Sequence, residues 1–286
     1  MAPTDPAPAS SPRLTFHDGH QIPQLGYGVY KVDDENAATA VTHALEAGYR
    51  HVDTATVYGN ERGVGEALRA SGIPRSDLFL TTKVWNDDQG YDATLRAFDA
   101  SLERLGLDTV DLYLIHWPMP MNGQYIDTWK ALARLHEEGR ATSIGVSNFP
   151  AARIDDLTEA TGITPVINQV ELHPYFAQPQ LRVENNKRGI ITEAWAPLAR
   201  GGDLFNDPVI SRIANKHDAT PAQVVLAWHL AIGNVAIPKS VTPSRIVENF
   251  GALGLHLDSE DIAQIDSLDR GLGARTGFDP ETMTRS

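Results

Sequence analysis

The chain alternates between short apolar runs and longer segments with the periodicity of amphipathic helices. Short apolar runs bounded by turn residues are typical of buried parallel strands. The predicted strands cover residues 25–29, 49–52, 78–81, 110–115, 143–146, 166–170, 190–194 and 235–237. The predicted helices cover residues 36–47, 61–70, 93–105, 126–138, 151–161, 178–188 and 221–232. Eight strands alternating with helices predict an α/β fold, either a (β/α)₈ barrel or an open doubly wound sheet.

The sequence of the N-terminal region predicts a tail that is followed by a β-hairpin. Asp18-Gly19 separates two short runs, residues 14–17 and 21–22, and this dipeptide suits the positive φ angles of a tight hairpin turn. Residues 1–12 are rich in Pro, Ala and Ser and lack the basic start and apolar run of a secretory signal. We expect a flexible tail over residues 1–12 and a single domain over residues 13–286.

Composition narrows the classes of function. The net charge of −13 over 286 residues argues against general binding to nucleic acid or to an anionic membrane. The sequence contains no cysteine, so disulfides, thiolate metal sites and cysteine nucleophiles are excluded. No window approaches the roughly 18 apolar residues of a membrane helix. These features favour a cytoplasmic enzyme that acts on a small molecule, and we expect it to be a monomer.

Glycine spacing bears on the choice between the two architectures. An open-sheet dehydrogenase carries G-x-G-x-x-G after its first strand, where the cofactor pyrophosphate meets a helix N-terminus. The nearest run here, residues 59–65, has the wrong spacing, and no phosphate-loop motif is present. Tyr27 and Lys31 have the spacing of a catalytic Tyr-x-x-x-Lys pair. They flank a predicted strand rather than sharing a helix face, which favours a chance spacing.

A metal-dependent barrel hydrolase is an alternative. His51 and Asp53 lie at one predicted strand end, and Glu171 and His173 lie at another, so imidazole and carboxylate ligands could converge. No His-x-His motif or helical histidine pair supports such a site. We therefore expect no metal.

One extended motif resembles the signature of the aldo-keto reductase family. Residues 48–55, together with Tyr58, Glu61, Val64 and Gly65, fit that signature at every position that it specifies. The resemblance covers about residues 13–286 and continues in order through runs 82–85, 112–118, 145–149, 168–171 and 237–240, then Arg245, Glu248 and Asn249. It implies the barrel rather than the open sheet, with the site at the carboxyl ends of the strands.

The resemblance implies a catalytic set of Asp53, Tyr58, Lys83 and His116. Carbonyl reduction needs a hydride at carbon and a proton at oxygen, and a protonated phenol can donate that proton. We expect the Lys83 ammonium, paired with Asp53, to lower the pKa of Tyr58. We expect His116 to donate a second hydrogen bond to the substrate oxygen.

The resemblance also implies NADPH as cofactor. Lys239, Ser240, Val241 and Arg245 follow the eighth predicted strand, where a basic cluster can bind the 2′-phosphate that distinguishes NADPH from NADH. The residues expected at the nicotinamide are Ser147, Asn148, Gln169 and the stacking Trp195. The other expected cofactor contacts are Gly28, Val29, Tyr30, Ala196, Pro197, Leu198, Glu248 and Asn249.

Aromatic residues at the strand ends predict an apolar substrate pocket. Tyr30, Trp85 and Trp117 are expected to wall this pocket, with His116 at the reacting oxygen. Residues 273–283 resemble the C-terminal substrate loop of bacterial members that reduce diketo-sugar acids. We expect reduction of aldehydes, ketones or ketoacids, including diketo-sugar acids or 2-oxoaldehydes.

The sequence departs from the family pattern at one position, and one alternative to an enzyme stays open. Thr142 stands where the family usually has a basic or long polar residue, at a position distant from the expected chemistry. A binding or regulatory protein that keeps the barrel and the cofactor without turnover is a second alternative. Retention of all four expected catalytic residues favours an enzyme.

Overall fold

Eight parallel strands form the central sheet of the computed structural model, which describes residues 10–285. Their order around the sheet follows their order in the chain. A parallel bridge between Leu25 and Ala236 joins the first and last strands, so the sheet closes as the predicted (β/α)₈ barrel. The strands are the hairpin pair β1 (Arg13–Thr15) and β2 (Gln21–Pro23), then β3 (Tyr27–Gly28), β4 (His51–Asp53), β5 (Phe79–Val84), β6 (Val110–Ile115), β7 (Ala141–Ser147), β8 (Ile167–Glu171), β9 (Ile191–Trp195) and β10 (Val235–Ala236).

Ten α-helices within residues 10–285 surround the sheet. They are α1 (Asp34–Ala47), α2 (Glu61–Ala70), α3 (Tyr91–Leu105), α4 (Tyr125–Glu137), α5 (Ala151–Thr161), α6 (Pro179–Lys187), α7 (Pro208–Lys216), α8 (Pro221–Ala231), α9 (Pro243–Phe250) and α10 (Ser259–Asp266). All seven predicted helices are present with ends within a few residues of the prediction. The short helices α7, α9 and α10 were not predicted.

The unpredicted helices carry start signals of the kind that mark α8. Helix α8 begins with a capping box in which Thr220 and Gln223 exchange hydrogen bonds, followed by proline at the first helical position. Asp207 precedes Pro208 and Thr242 precedes Pro243 in the same way. These Asp-Pro and Thr-Pro pairs, and the capping box formed by Asp258 and Asp261 at α10, were the available signals.

The N-terminal hairpin covers the barrel end at which the strands begin. Strands β1 and β2 pair antiparallel, and Gly19 in the connecting turn has φ +91°, as predicted for this dipeptide. Phe16 and Ile22 are buried in one cluster with Phe79 at the start of β5. Since the hairpin occupies this end, the opposite end, where the strands finish, is left for ligands.

The predicted tail, residues 1–12, lies mostly outside the described residues, so this division of the chain stays a prediction. At its described end, the Ser11 hydroxyl accepts from the Leu25 amide at 2.9 Å, and the Pro12 carbonyl accepts from the Gln24 amide at 2.7 Å. Among residues 10–285, no helix is both long and apolar enough to cross a membrane.

Candidate active site

A buried ion pair lies at the centre of the carboxyl end of the barrel. Asp53 ends β4 opposite Thr81 of β5, and Lys83 lies two residues further along β5, so both side chains point into the barrel. Lys83 Nζ donates to Asp53 Oδ1 at 2.6 Å and to the Thr54 carbonyl at 2.8 Å. The two side chains are 0% and 3% exposed. The predicted Asp53–Lys83 pair is therefore formed in full isolation from solvent.

A second carboxyl group, missed in the sequence, joins this pair. The Gln169 amide nitrogen donates to Asp53 Oδ2 and to Glu193 Oε2, each at 2.8 Å. Glu193 lies on β9 and is fully buried. Burial and the Asp53 charge raise the pKa of Glu193 to about 8. The sequence signal that could have identified Glu193 was an acidic residue within a predicted buried strand.

Tyr58 lies directly above the ion pair. It ends a 3₁₀ turn, Thr56–Tyr58, that follows β4. Lys83 Nζ lies 5.2 Å from the centroid of its ring. The rings of Tyr30 and His116 lie 5.1 Å and 5.7 Å from the Tyr58 ring, centroid to centroid. The four predicted catalytic residues are thus brought together, although they are dispersed along the chain.

The direction of the pKa shift of Tyr58 differs from the prediction. Burial, followed by the charge on Asp53, raises the pKa of Tyr58 well above its usual value of 10. The sequence suggested an ammonium beside the phenol but not the depth of the site or the proximity of a carboxylate. The phenol therefore stays protonated throughout the neutral range.

His116 is a neutral imidazole beside Tyr58. It follows β6, and burial together with the Lys83 charge lowers its pKa well below 6.5. Its ring packs edge-on against Trp85 at 5.1 Å. A neutral imidazole carries a single N–H, so His116 can donate one hydrogen bond and accept another.

A chain of polar side chains extends from the catalytic residues across the barrel mouth. Trp195 Nε1 donates to Asn148 Oδ1 at 2.8 Å, and Asn148 Nδ2 donates to Ser147 Oγ and to the His116 carbonyl, each at 3.0 Å. Ser147 Oγ in turn donates to the Gln169 carbonyl at 2.9 Å. The four residues predicted at the nicotinamide therefore form one connected group.

The predicted phosphate-binding residues lie around the start of α9. Lys239, Val241 and Arg245 are exposed, and within residues 10–285 neither cation forms a salt bridge. The hydroxyl of buried Tyr27 donates to the Ser240 carbonyl and so holds the loop that contains Ser240. Two available cations beside a helix N-terminus fit a phosphate group.

The remaining predicted cofactor residues differ in which of their atoms are free to contact a ligand. Val29 is fully buried, so only its backbone is available to a ligand. A Cβ atom at Gly28 would lie 3.0 Å from the Ile237 carbonyl, which gives this glycine a role in barrel closure. Glu248 already accepts from the Thr220 hydroxyl at 2.8 Å, and Asn249 is buried.

The segment between β9 and α7 reverses direction just after Trp195. Ala196 has φ +49°, the Pro197 carbonyl accepts from His229 Nε2 at 3.1 Å, and Leu198 packs against the core. The predicted contacts of Ala196, Pro197 and Leu198 with the cofactor stay predictions. Their position beside Trp195 suits them to the diphosphate side of the site.

Aromatic and thioether side chains wall the space above the catalytic residues. Trp117, Met119 and Met283 form a buried cluster against which Trp85 and Trp195 pack. The sequence predicted the tryptophans and a substrate loop over residues 273–283, which includes Met283, but it missed Met119. Tyr30 remains 46% exposed at the rim.

The sequence as a whole was compared with known families and structures. The profile of the Aldo/keto reductase family matches residues 23–270. The chain belongs to the aldo/keto reductase family. An aldo-keto reductase of Mycolicibacterium smegmatis is 54% identical over 273 residues, which cover 96% of this chain and 98% of that protein. The methylglyoxal reductase DkgA of Escherichia coli is 48% identical over 269 residues, covering 94% and 96% of the two chains.

Solved structures share the fold of this chain, among them an aldo-keto reductase from a deep-sea metagenome library with a TM-score of 0.92 at 41% identity. The apo form of Gox0644 superposes with a TM-score of 0.92 at 48% identity, covering 96% of this chain and 99% of that one. A variant of Gox0644 has been solved in complex with NADPH, with the same TM-score and identity. The barrel and its N-terminal hairpin are therefore those of an established reductase fold.

The residues of the alternative sites are engaged elsewhere. His51 is buried beside Thr81 and Glu193, whereas His173 contacts Glu171 at 3.3 Å. No group of three or more potential ligands is placed to bind a metal within residues 10–285. Lys31 lies over the ring of Tyr30 and shares no helix face with Tyr27. This agrees with the interpretation that their Tyr-x-x-x-Lys spacing arises by chance.

Glu171 fastens the C-terminal segment across the barrel mouth. Its carboxylate accepts from the Thr276 amide at 2.7 Å, the Thr276 hydroxyl at 2.6 Å and the Gly277 amide at 2.8 Å. A Cβ atom at Gly277 would lie 2.5 Å from Trp195, so only glycine permits this approach. The segment and Trp195 border a cavity of about 420 Å³. Glu171 thereby places residues 275–283, including Met283, over the site.

Substitution of Glu171 tests this fastening. Glu171→Ala removes the acceptor for three hydrogen bonds, so the segment should open more often and trypsin should cut after Arg275 about tenfold faster. Glu281→Gln is the control, because the Glu281–Arg153 pair is partly exposed and should contribute little. Equal cleavage rates for Glu171→Ala and the wild type would show that other contacts hold the segment.

Proposed function

We propose that this protein is an NADPH-dependent carbonyl reductase that converts aldehydes, ketones or ketoacids to alcohols. The observation that carries the proposal is the buried Asp53–Lys83 pair beneath Tyr58, with neutral His116 beside it. A proton donor, a fixed positive charge and a neutral hydrogen-bond donor surround one point above the barrel. This is the environment that a carbonyl oxygen requires as negative charge develops on it.

Tyr58 is the proposed general acid. Its phenol is protonated at neutral pH and can give its proton to the substrate oxygen. Loss of the proton leaves a negative oxygen in a buried site, and the nearby Lys83 ammonium stabilises that charge. Asp53 holds the ammonium in place by accepting its hydrogen bond. Lys83 therefore favours proton transfer, and Asp53 contributes by positioning Lys83, whereas burial and the Asp53 charge raise the resting pKa of Tyr58.

His116 is the proposed orienting residue. Because its imidazole is neutral, it can donate its N–H to the substrate oxygen without competing as a proton donor. Together with Tyr58 it defines two directions of hydrogen bonding at one oxygen. This fixes the carbonyl relative to the aromatic wall formed by Trp85 and Trp117.

The polar chain and the exposed cations are the proposed cofactor site. NADPH, which is present in the complex of a Gox0644 variant, supplies a hydride when bound. Ser147, Asn148 and Gln169 would hold the nicotinamide amide, and Trp195 would stack on its ring. The 2′-phosphate would lie at the site formed by Lys239, Ser240, Val241 and Arg245.

The proposed substrates are small carbonyl compounds. Relatives of 47 to 49% identity are named methylglyoxal reductases, which favours 2-oxoaldehydes, and diketo-sugar acids are the second class to test. The C-terminal segment places Met283 against the aromatic wall and so limits the size of the pocket. We further propose that the enzyme is cytoplasmic and acts as a monomer, which sedimentation would test.

Tyr58→Phe tests the proton donor. The substitution removes only the hydroxyl, so carbonyl reduction should fall by about 10²- to 10⁴-fold while NADPH still quenches tryptophan fluorescence. Tyr91→Phe, at a position that is 38% exposed on α3, is the matched control and should leave the rate unchanged. Near wild-type turnover of Tyr58→Phe would assign the proton to another group.

Arg245→Ala tests the phosphate site. Loss of a charge-assisted contact to the 2′-phosphate should raise the dissociation constant for NADPH by about 10- to 100-fold. NADH lacks that phosphate, so its affinity should change little. Fluorescence titration with both cofactors measures the two effects, and an equal loss for both would place the phosphate elsewhere.

A further inference from the structure

Among the residues that the structure describes, 10–285, the carboxyl groups of Asp53 and Glu193 lie beside a single ammonium inside the barrel, that of Lys83. Lys83 Nζ gives its hydrogen bonds to Asp53 and to the Thr54 carbonyl, and none to Glu193. Glu193 is linked to the pair only through the Gln169 amide. The one positive charge is therefore already assigned to Asp53.

The groups that face Glu193 cannot neutralise a negative charge on it. His51 from β4 lies 3.8 Å away, and burial lowers its pKa to about 3, so it is neutral. Gln169 from β8 is neutral, and Asp53 from β4 is a like charge. Lys83 from β5 attracts Glu193 only from a distance, and Arg13 acts on His51 rather than on Glu193.

One oxygen of Glu193 is also without a hydrogen bond. Within residues 10–285, Oε1 is buried and has no partner, whereas Oε2 accepts from Gln169. An ionised carboxylate in such a place would be strongly destabilised by the loss of water. A neutral acid avoids this penalty, in agreement with a pKa raised to about 8 by burial and by Asp53.

We propose that Glu193 is a positioning residue: as a neutral acid it holds the Gln169 amide, and through it Asp53, and its ionisation disables the site. This inference rests on the proposed reductase function. It assigns a role to a residue outside the four that surround the substrate.

The orientation of Gln169 is the first consequence of a neutral Glu193. Both N–H bonds of its amide are taken by carboxyl oxygens, one from Asp53 and one from Glu193. Its own oxygen is then the atom left to accept a hydrogen bond from a ligand amide. Without Glu193 as an acceptor, Gln169 could turn over and present the wrong group.

The charge balance around Lys83 is the second consequence. Ionised Glu193 would place a second negative charge near the ammonium and compete with Asp53 for it. The same charge would raise the pKa of Tyr58 further, since a negative charge on Glu193 acts on that phenol in this direction. Proton donation by Tyr58 would become more difficult, so the rate should fall as the pH rises through the ionisation of Glu193.

The pH dependence of kcat/KM with NADPH and methylglyoxal between pH 6 and 9.5 tests the proposal. For a site that requires one protonated group with a pKa of about 8, wild-type kcat/KM should be about tenfold lower at pH 9 than at pH 7. Glu193→Gln keeps a neutral acceptor of the same shape, so its rate at pH 7 should be close to wild type and the alkaline fall should disappear.

Controls separate positioning from a purely structural role. Glu159→Gln, at an exposed position on α5, should keep the wild-type profile. An unchanged alkaline fall in Glu193→Gln would overturn the proposal. A fall caused by ionisation of the Tyr58 phenol would persist in Glu193→Gln, so this variant distinguishes the two groups. An unchanged melting temperature would show that the lost pH dependence does not reflect unfolding.

A second measurement does not require activity or a stable variant. Infrared spectra of wild-type protein with isotopically labelled glutamate should show a protonated carboxyl band at pH 7 that disappears by pH 9.5. Absence of that band at pH 7 would overturn the proposal. If the wild type reduces no carbonyl, the proposed function fails, and the infrared band still decides the state of Glu193.

Discussion

The site depends on how charge is balanced inside a closed barrel. Asp53 and Lys83 form an ion pair that is shielded from solvent, and each would be strongly destabilised without the other. The register of β4 and β5 fixes their separation, so their geometry is inherited from the sheet. The charges of this pair act together with burial on the pKa values of Tyr58 and His116, and Asp53 accepts a hydrogen bond from the Gln169 amide.

The two ends of the barrel have different tasks. At one end the N-terminal hairpin packs Phe16 and Ile22 against the strand beginnings and excludes water. At the other end the polar chain from Ser147 to Trp195 and the segment held by Glu171 surround the catalytic residues. The chain has a net charge of −13, yet Lys239 and Arg245 form an exposed basic cluster at the start of α9. Whether such a cluster attracts an anion depends on the local charge rather than on the net charge.

Most of this arrangement could be predicted where the signal is local or lies in a motif. Alternating apolar runs predicted the strands, and the run from Gly48 to Ala55 with the motifs that follow it indicated the family. Helices α7, α9 and α10 were missed because an alternation of strands with single helices does not require them: α7 precedes α8 in one connection, and α9 and α10 follow the last strand.

Features that arise only from tertiary packing could not be predicted from the sequence. The pKa of Tyr58 rises because of burial and the charge on Asp53, and neither burial depth nor distance can be inferred from residue types. Glu193 reaches the site from strand β9, and Met283, within the predicted substrate loop, packs against Trp117 and Met119. Their roles depend on contacts between segments that are far apart in sequence.

Direct transfer of isotope from cofactor to product is the most decisive test of the central claim. Purified enzyme would be mixed with methylglyoxal and NADPH deuterated at the transferable position, and both cofactor oxidation and product labelling would be followed. The account predicts one deuterium on the former carbonyl carbon for each NADPH oxidised. Cofactor oxidation without deuterium in the alcohol, or no oxidation across a panel of aldehydes, diketones and ketoacids, would contradict it.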